Sequence, residues 1–303
     1  MFRTSAPSLT SPARVQGAMM RSQPPDESRH GGAWRRHLPG AGRRVAATVR
    51  TLLERNRALT VFGLAMLAAM VPTLFALGLD ARELRGVSVW AKPLKFLAAL
   101  GLFALTMAWF TGYVDAAQRR ARAVRVTTWL LVGTAGFEIA YITFQAALGQ
   151  ASHFNVTTPF HAFMYSLMGI GALLLTATAP LLAWQIARHP ERTIDPVLRE
   201  GAVIGLALTF VLGAGVGMVL GGMQPPAGPG LALVGWSTVA GDLRPAHFFG
   251  IHAQQIVPLA AFAALLIAPI RARALLRGFA VAYSGFTVAV FVQALAGQPL
   301  IAL

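Results

Sequence analysis

Seven times along this chain of 303 residues, about 20 residues pass with almost no charge. The stretches run over roughly 58–79, 91–113, 126–148, 158–187, 200–221, 245–270 and 277–298. A helix of about 20 residues rises ~30 Å, the thickness of a hydrocarbon core. Buried helices of soluble proteins are seldom so long without interruption. The pattern predicts an all-α, polytopic transmembrane bundle of about seven spans, with the lipid bilayer as its first partner. Composition agrees, with 12% charged residues against about 25% in an average soluble domain. The absence of cysteine excludes disulfides and thiolate-bound metals.

The net charge is +15. Such a balance can mark nucleic-acid binding. In a membrane chain it reads instead as the sign of the cytoplasmic loops, and no nucleic-acid partner is expected. Arg119, Arg120, Arg122 and Arg125 lie between spans two and three. Arg188, Arg192 and Arg199 lie between four and five, and Arg271, Arg273 and Arg277 between six and seven. The alternate connections carry only Arg82, Arg85 and Arg244. This asymmetry predicts a cytoplasmic N-terminus and a C-terminus outside.

Residues 1–41 are rich in Ser, Pro, Gly and Arg and have no apolar period, which predicts a disordered basic tail. It lacks the apolar core of a secretory signal. Met19 and Met20 lie within it and would serve as alternative starts if the start at Met1 is over-extended. In residues 42–57, Val45, Val49, Leu52 and Leu53 share one helical face. This predicts a basic amphipathic helix on the inner membrane surface, leading into a seven-helix domain over 58–303.

Lys92 and Lys95, in "WAKPLKF", are the only lysines of the chain. Lysine is a compact point charge whose protonation responds to burial, unlike the guanidinium fork. Pro93, Pro159 and Pro245 each stand near the predicted outer start of a span, a position that suits proline. Two residues after them come Lys95, His161 and His247. Pro-x-Arg also occurs at Pro12, Pro190 and Pro269, where arginine is common. Cations at a helix N-terminus oppose its partial positive charge. Lys92, Lys95 and Arg244 therefore call for an anion, either a bound solute or the chain's own Asp80, Glu83, Glu138 or Asp242. In the second case the lysines simply snorkel to the interface.

Span three carries Thr134, Glu138, Tyr141 and Gln145 on one face. Glu138 falls near mid-membrane, where a carboxylate is costly and usually functional. With His153 beyond the span's end, the stripe reads as a proton or charge relay. The bland alternative is a neutral Glu138 bonded to a neighbouring helix. In "GDLRPAHFFGIHAQQ", His247 and Gln254 share one face, and His252 and Gln255 another. His247 and His252 are about 140° apart around the helix, poorly placed for one metal ion. A haem or metal would instead take His161 with His247, or His153 with His252. In span five, Gly213, Gly217 and Gly221, and Gly201 and Gly205, recur every four residues. That spacing suits close helix packing, with a hinge as the alternative.

No HExxH, GxSxG or P-loop is present. The "W-x-KP-x-KF" and "SHFN" segments resemble those of bacterial polytopic inner-membrane proteins of uncharacterised activity. The resemblance rests on short segments within residues 90–255. It implies an inner-membrane location and carries no activity over.

Three readings follow. In the first, Lys92, Lys95, His161, Asp242, Arg244, His247, His252 and Gln255 line an outward pocket that binds or transports a small anionic or polar solute. Glu138, Tyr141, Gln145 and His153 then form its relay. In the second, histidines hold haem or a metal in a redox protein or enzyme. In the third, the polar cluster only locks the helices of a structural or sensory component.

Overall fold

The computed structural model describes residues 40–303 apart from 224, 225, 227, 229, 232 and 233. The tail expected over 1–41 therefore lies almost wholly outside the described residues. Val45–Leu303 forms one compact unit. Helix α1 (Ala41–Arg55) is basic and amphipathic, and within it Leu52 is buried. The chain breaks at Asn56, whose side chain accepts from Leu59 N–H and so caps α2 (Arg57–Leu79).

Among the described residues, seven helical segments are long and apolar enough to cross a bilayer. After α2 come α3 (Ala91–Thr111), α4 (Arg122–Ala147) and α5 (Pro159–Arg188). The fifth span is composite: α6 (Pro196–Leu208), a π-helical segment (Thr209–Ala214) and α7 (Gly215–Gly222). Then come α8 (Leu243–Ile267) and, after a single 3₁₀ turn, α9 (Ala272–Leu295). A two-residue hairpin, β1 (Glu83–Leu84) with β2 (Val87–Ser88), lies between α2 and α3. Arg85 and Gly86 take positive φ in its turn. The chain is a multi-pass membrane protein of seven spans. Large apolar side chains cover its outer faces, among them Val71 and Phe75 of α2, Phe163 and Ile170 of α5 and Leu266 of α8. Such a surface demands lipid around it.

Prolines do not open the spans as uniformly as their spacing predicts. Pro159 is the first residue of α5, capped by Thr158. Helices α3 and α8 instead begin at Ala91 and Leu243, two residues before Pro93 and Pro245. The first-turn N–H groups have no intrahelical partner, so a proline is tolerated anywhere there. Helix α9 begins five residues earlier than the apolar pattern over 277–298 implies. Arg273 and Arg277 in its first turns both pair with Glu200 of α6, so the helix continues past the apolar stretch.

Packing follows the small residues. Leu105 of α3 lies over Gly63 of α2, and Leu67 of α2 over Gly101 of α3. The fifth span meets α8 through its glycine stripe. A Cβ at Gly201 would strike Ala261, one at Gly205 the Ala253 carbonyl, and one at Gly213 would crowd Gly250 and Ile251. Gly217 faces His247, whereas Gly221 meets nothing within 4 Å. One buried cluster joins α2 to α6 around Met107, Leu131, Leu182 and Leu206. A second holds α8 to α9 around Val257 and Leu276.

The arginine-bearing connections share one end of the bundle. Val114 and Pro190 form an isolated β-bridge there, and Arg119 pairs with Glu191. The opposite end carries Lys92, Lys95, His153, His161 and Asp242. These are the Arg119 end and the Lys92 end of the bundle.

Candidate functional site

Two arginine–aspartate pairs form at the Lys92 end. Asp80 is the C-cap of α2 and takes a bidentate contact from Arg82, with N–O distances down to 2.7 Å. Trp90 Nε1 donates to the same carboxylate at 2.8 Å. Arg82, then Trp90, hold the Asp80 carboxyl well below the usual carboxylate range. Arg82 also donates to the Ala147 carbonyl and so ties this turn to the end of α4.

Asp242 repeats the device at α8. It caps the helix by accepting from Arg244 N–H at 3.0 Å and holds the Arg244 guanidinium at 2.6 Å. It also accepts from Ser237 N–H at 2.9 Å. Burial alone would raise the Asp242 carboxyl, but the Arg244 and backbone bonds outweigh it and hold the group below its usual value. Two of the four acids expected as counter-ions for the lysines, Asp80 and Asp242, are thus taken by arginines two residues away. Lys92 and Lys95 make no ion pair among the described residues. Lys92 is half-buried, and its ammonium sits 5.7 Å from the Phe96 ring one turn on. Lys92 lies within Coulombic reach of Lys95, and Lys95 of Arg244, so the starts of α3 and α8 do approach each other.

The polar stripe of α4 turns inward. Glu138, Tyr141 and Gln145 are all buried, with Glu138 2% and Gln145 1% exposed. Glu138 Oε1 and Gln145 Oε1 are buried and have no hydrogen-bond partner among the described residues. Glu138 packs against Gly171 of α5 and lies within Coulombic reach of Lys92 without pairing to it. Thr134, on the same face, spends its hydroxyl on the Leu130 carbonyl of its own helix.

Aromatic rings stand between Lys92 and this stripe. The His153 ring packs against Phe96 of α3 at 6.0 Å and Tyr165 of α5 at 5.8 Å. Tyr165 also meets Phe154 and donates to the Gly221 carbonyl of α7. Phe154 holds φ at 56°, a costly conformation for a bulky residue that marks a constrained loop. Burial, then the nearby Lys92 charge, pushes the His153 imidazole down to about 3, against a weaker opposing bond at Ser152. It is neutral at pH 7. Sequence reasoning missed Phe96 and Tyr165. Their only signal was an aromatic one turn from each basic residue, at Lys92/Phe96 and His161/Tyr165, which is indistinguishable from lipid-facing or core residues.

The remaining histidines are separately engaged. His161 has both ring nitrogens occupied, Nδ1 with Thr158 Oγ1 at 2.8 Å and Nε2 with Gln150 Oε1 at 3.2 Å. His247 Nδ1 donates to the Gly213 carbonyl of the π-helical segment at 2.9 Å. Serving as paired ligands would cost His161 one of those bonds. His252 Nδ1 bonds Gln255 Oε1 at 3.3 Å, and Gln255 Nε2 reaches Thr106 Oγ1 of α3 at 3.0 Å. Through this relay α8 is tied to α3. Among the described residues no group of three or more His, Asp or Glu side chains is arranged to hold a metal ion.

The structure therefore brings Lys92 and His153 together with Phe96 and Tyr165, puts Glu138 within Coulombic reach of Lys92, and brings Lys95 toward Arg244 and its partner Asp242, whereas His247 is held at Gly213 and His252 with Gln255 at Thr106, eleven residues along α3 from Lys95. His161 is tied to Gln150 and Thr158 instead. No protein-family model, no curated protein and no solved structure matches the chain.

Proposed function

We propose that this membrane protein binds, and carries across the bilayer, a small anionic or polar solute at the Lys92 end. The observation behind this reading is a mismatch of satisfied and unsatisfied groups. Asp80 pairs with Arg82 and Asp242 with Arg244, while Lys92 and Lys95 have no ion pair among the described residues, and Lys92 lies within Coulombic reach of Glu138, whose buried Oε1, like that of Gln145, lacks a partner there. A buried polar oxygen without a partner is expensive. Nothing in a purely structural cluster requires it. A solute with an acidic group for the lysines and a donor for Glu138 and Gln145 would satisfy both halves. Glu138 is then the charge or proton partner, and Arg244 positions the start of α8 through Asp242.

The same reading puts the Lys92 end outside a bacterial inner membrane and the N-terminus in the cytoplasm. Its support is the clustering of Arg119, Arg120, Arg122, Arg188, Arg192, Arg199 and Arg277 toward the other end.

The test uses protein in detergent and a panel of small carboxylates, phosphates and zwitterions, read by thermal shift and by uptake into proteoliposomes. A member of the panel is expected to raise the melting temperature of the native chain. That shift is lost in Lys92→Gln and Glu138→Gln. Retention of the shift in both variants, or no shift with any panel member, overturns the reading. A Soret band or stoichiometric metal in the purified protein would favour the haem or metal alternative instead.

A further inference from the structure

A second set of unsatisfied groups lies at the Arg119 end, far from the lysines and independent of the solute reading. A cleft of about 350 Å³ opens there between the first turns of α4 and the last turns of α5. Its floor is apolar and faces the surrounding bilayer: Val126 is 53% exposed, Leu181 40% and Trp184 52%. Arg122 lines its rim. The Arg188 guanidinium sits over the Trp184 ring, 5.5 Å from its centroid. Neither arginine meets a carboxylate among the described residues.

Helix α4 begins here without a side-chain cap, since Ala121 occupies the N-cap position. Its first N–H groups have no intrahelical partners, and its partial positive charge adds to that of Arg122. One wall is Gln185, 3% exposed. Thr127 donates its hydroxyl proton to the Ala123 carbonyl at 3.0 Å. The Thr127 oxygen is therefore an acceptor for Gln185 Nε2, at 2.8 Å. That fixes the amide's orientation. It leaves Gln185 Oε1 buried with no partner among the described residues.

We propose that this cleft is a binding site for an anionic phospholipid whose headgroup carries hydroxyls. The phosphate sits between Arg122, Arg188 and the open start of α4. A headgroup hydroxyl donates to Gln185 Oε1. One acyl chain lies along Val126, Leu181 and Trp184. The commitment to a lipid rather than a free anion rests on the floor. Exposed apolar side chains directly below two unpaired cations match a molecule with a charged head and a hydrocarbon tail. A soluble phosphate would leave that floor unused.

The full-length protein, delipidated in detergent, is titrated with phosphatidylglycerol, phosphatidylcholine, phosphatidic acid and glycerol 1-phosphate, and bound species are counted by native mass spectrometry. Phosphatidylglycerol is expected to bind best. An arginine near a charged membrane surface is worth about fivefold in affinity, so Arg122→Gln with Arg188→Gln should weaken phosphatidylglycerol by about 25-fold. Arg120→Gln, outside the cleft, should leave it nearly unchanged. Gln185→Leu should erase the preference for phosphatidylglycerol over phosphatidic acid while keeping both above phosphatidylcholine. Equal binding of phosphatidylglycerol and phosphatidylcholine overturns the proposal, as does an equal effect of the Arg120 and Arg122/Arg188 variants. Glycerol 1-phosphate binding as tightly as phosphatidylglycerol would overturn it too, by assigning the cleft to a soluble anion.

Discussion

Gly171 of α5 stands directly against Glu138 of α4: a Cβ at position 171 would lie 2.9 Å from the Glu138 Oε1 atom. The buried carboxyl group is accommodated because this helix has no side chain there. The next atoms a Cβ would meet are 3.7 Å away or more, so only the flexible end of Glu138 must move. Gly171→Ala is therefore expected to cost about 1 kcal/mol of stability, the low end of overpacking. Solute binding should fall much further, since the displaced oxygen is the proposed partner. Parallel melting curves and uptake assays check this. Equal proportional loss of both would mean that Glu138 is only part of the packing.

The contact between Gly250 of α8 and Gly213 of the π-helical segment has no such tolerance. A Cβ at Gly250 would come within 2.6 Å of Gly213 N, and every near atom there is backbone. Gly250→Ala is predicted to lose about 3 kcal/mol to overpacking, of which helix propensity returns about 1. Gly221→Ala, in the same glycine stripe but facing nothing within 4 Å, should be neutral or slightly stabilising. Thermal unfolding of the two variants in detergent separates packing from a hinge role for the stripe, because a hinge would penalise both.

Asp242 is 3% exposed and accepts from Ser237 N–H, Arg244 N–H and the Arg244 guanidinium. Asp242→Ala removes the cap of α8 and leaves the arginine unpaired. The expected loss is about 3 kcal/mol, the range for breaking a largely buried pair. Asp242→Asn keeps the cap acceptor and should lose less. Denaturant unfolding of both variants measures the difference.

The His153 imidazole gives the fold a pH dependence of defined sign. Its folded value, about 3, lies below that of an unfolded histidine, about 6.5. The unfolded chain therefore binds the proton first. The stabilising contribution is complete above roughly pH 6.5 and is lost as the pH falls toward 3, at no more than about 1.4 kcal/mol per pH unit. The melting temperature should drop between pH 7 and pH 4.5 in the native chain, and less in His153→Phe. An unchanged pH profile in that variant would show that another group titrates.

The spans and their number were legible in the order of residues. The cost of leaving a peptide group unpaired in hydrocarbon permits few structures besides helices for such stretches. That Glu138, Tyr141 and Gln145 share one face was legible too, because 3.6-residue periodicity sets it whatever surrounds them. Even the glycine stripe of the fifth span announced its close neighbour.

Which groups remain unsatisfied was decided only when the helices packed. Asp80, Glu83, Glu138 and Asp242 were equivalent counter-ions on paper. The folded chain gives Asp80 to Arg82 and Asp242 to Arg244, across two residues each, and leaves the lysines without them. The aromatic contacts of His153 with Phe96 and Tyr165 join a loop to two helices, and no local pattern encodes them. Nor could periodicity foresee the π-helical turn that aims the Gly213 carbonyl at His247, or the amide of Gln185 held by Thr127. Local spacing fixes which face of a helix is polar. Only side chains arriving from elsewhere in the chain determine whether a polar atom on that face finds its partner.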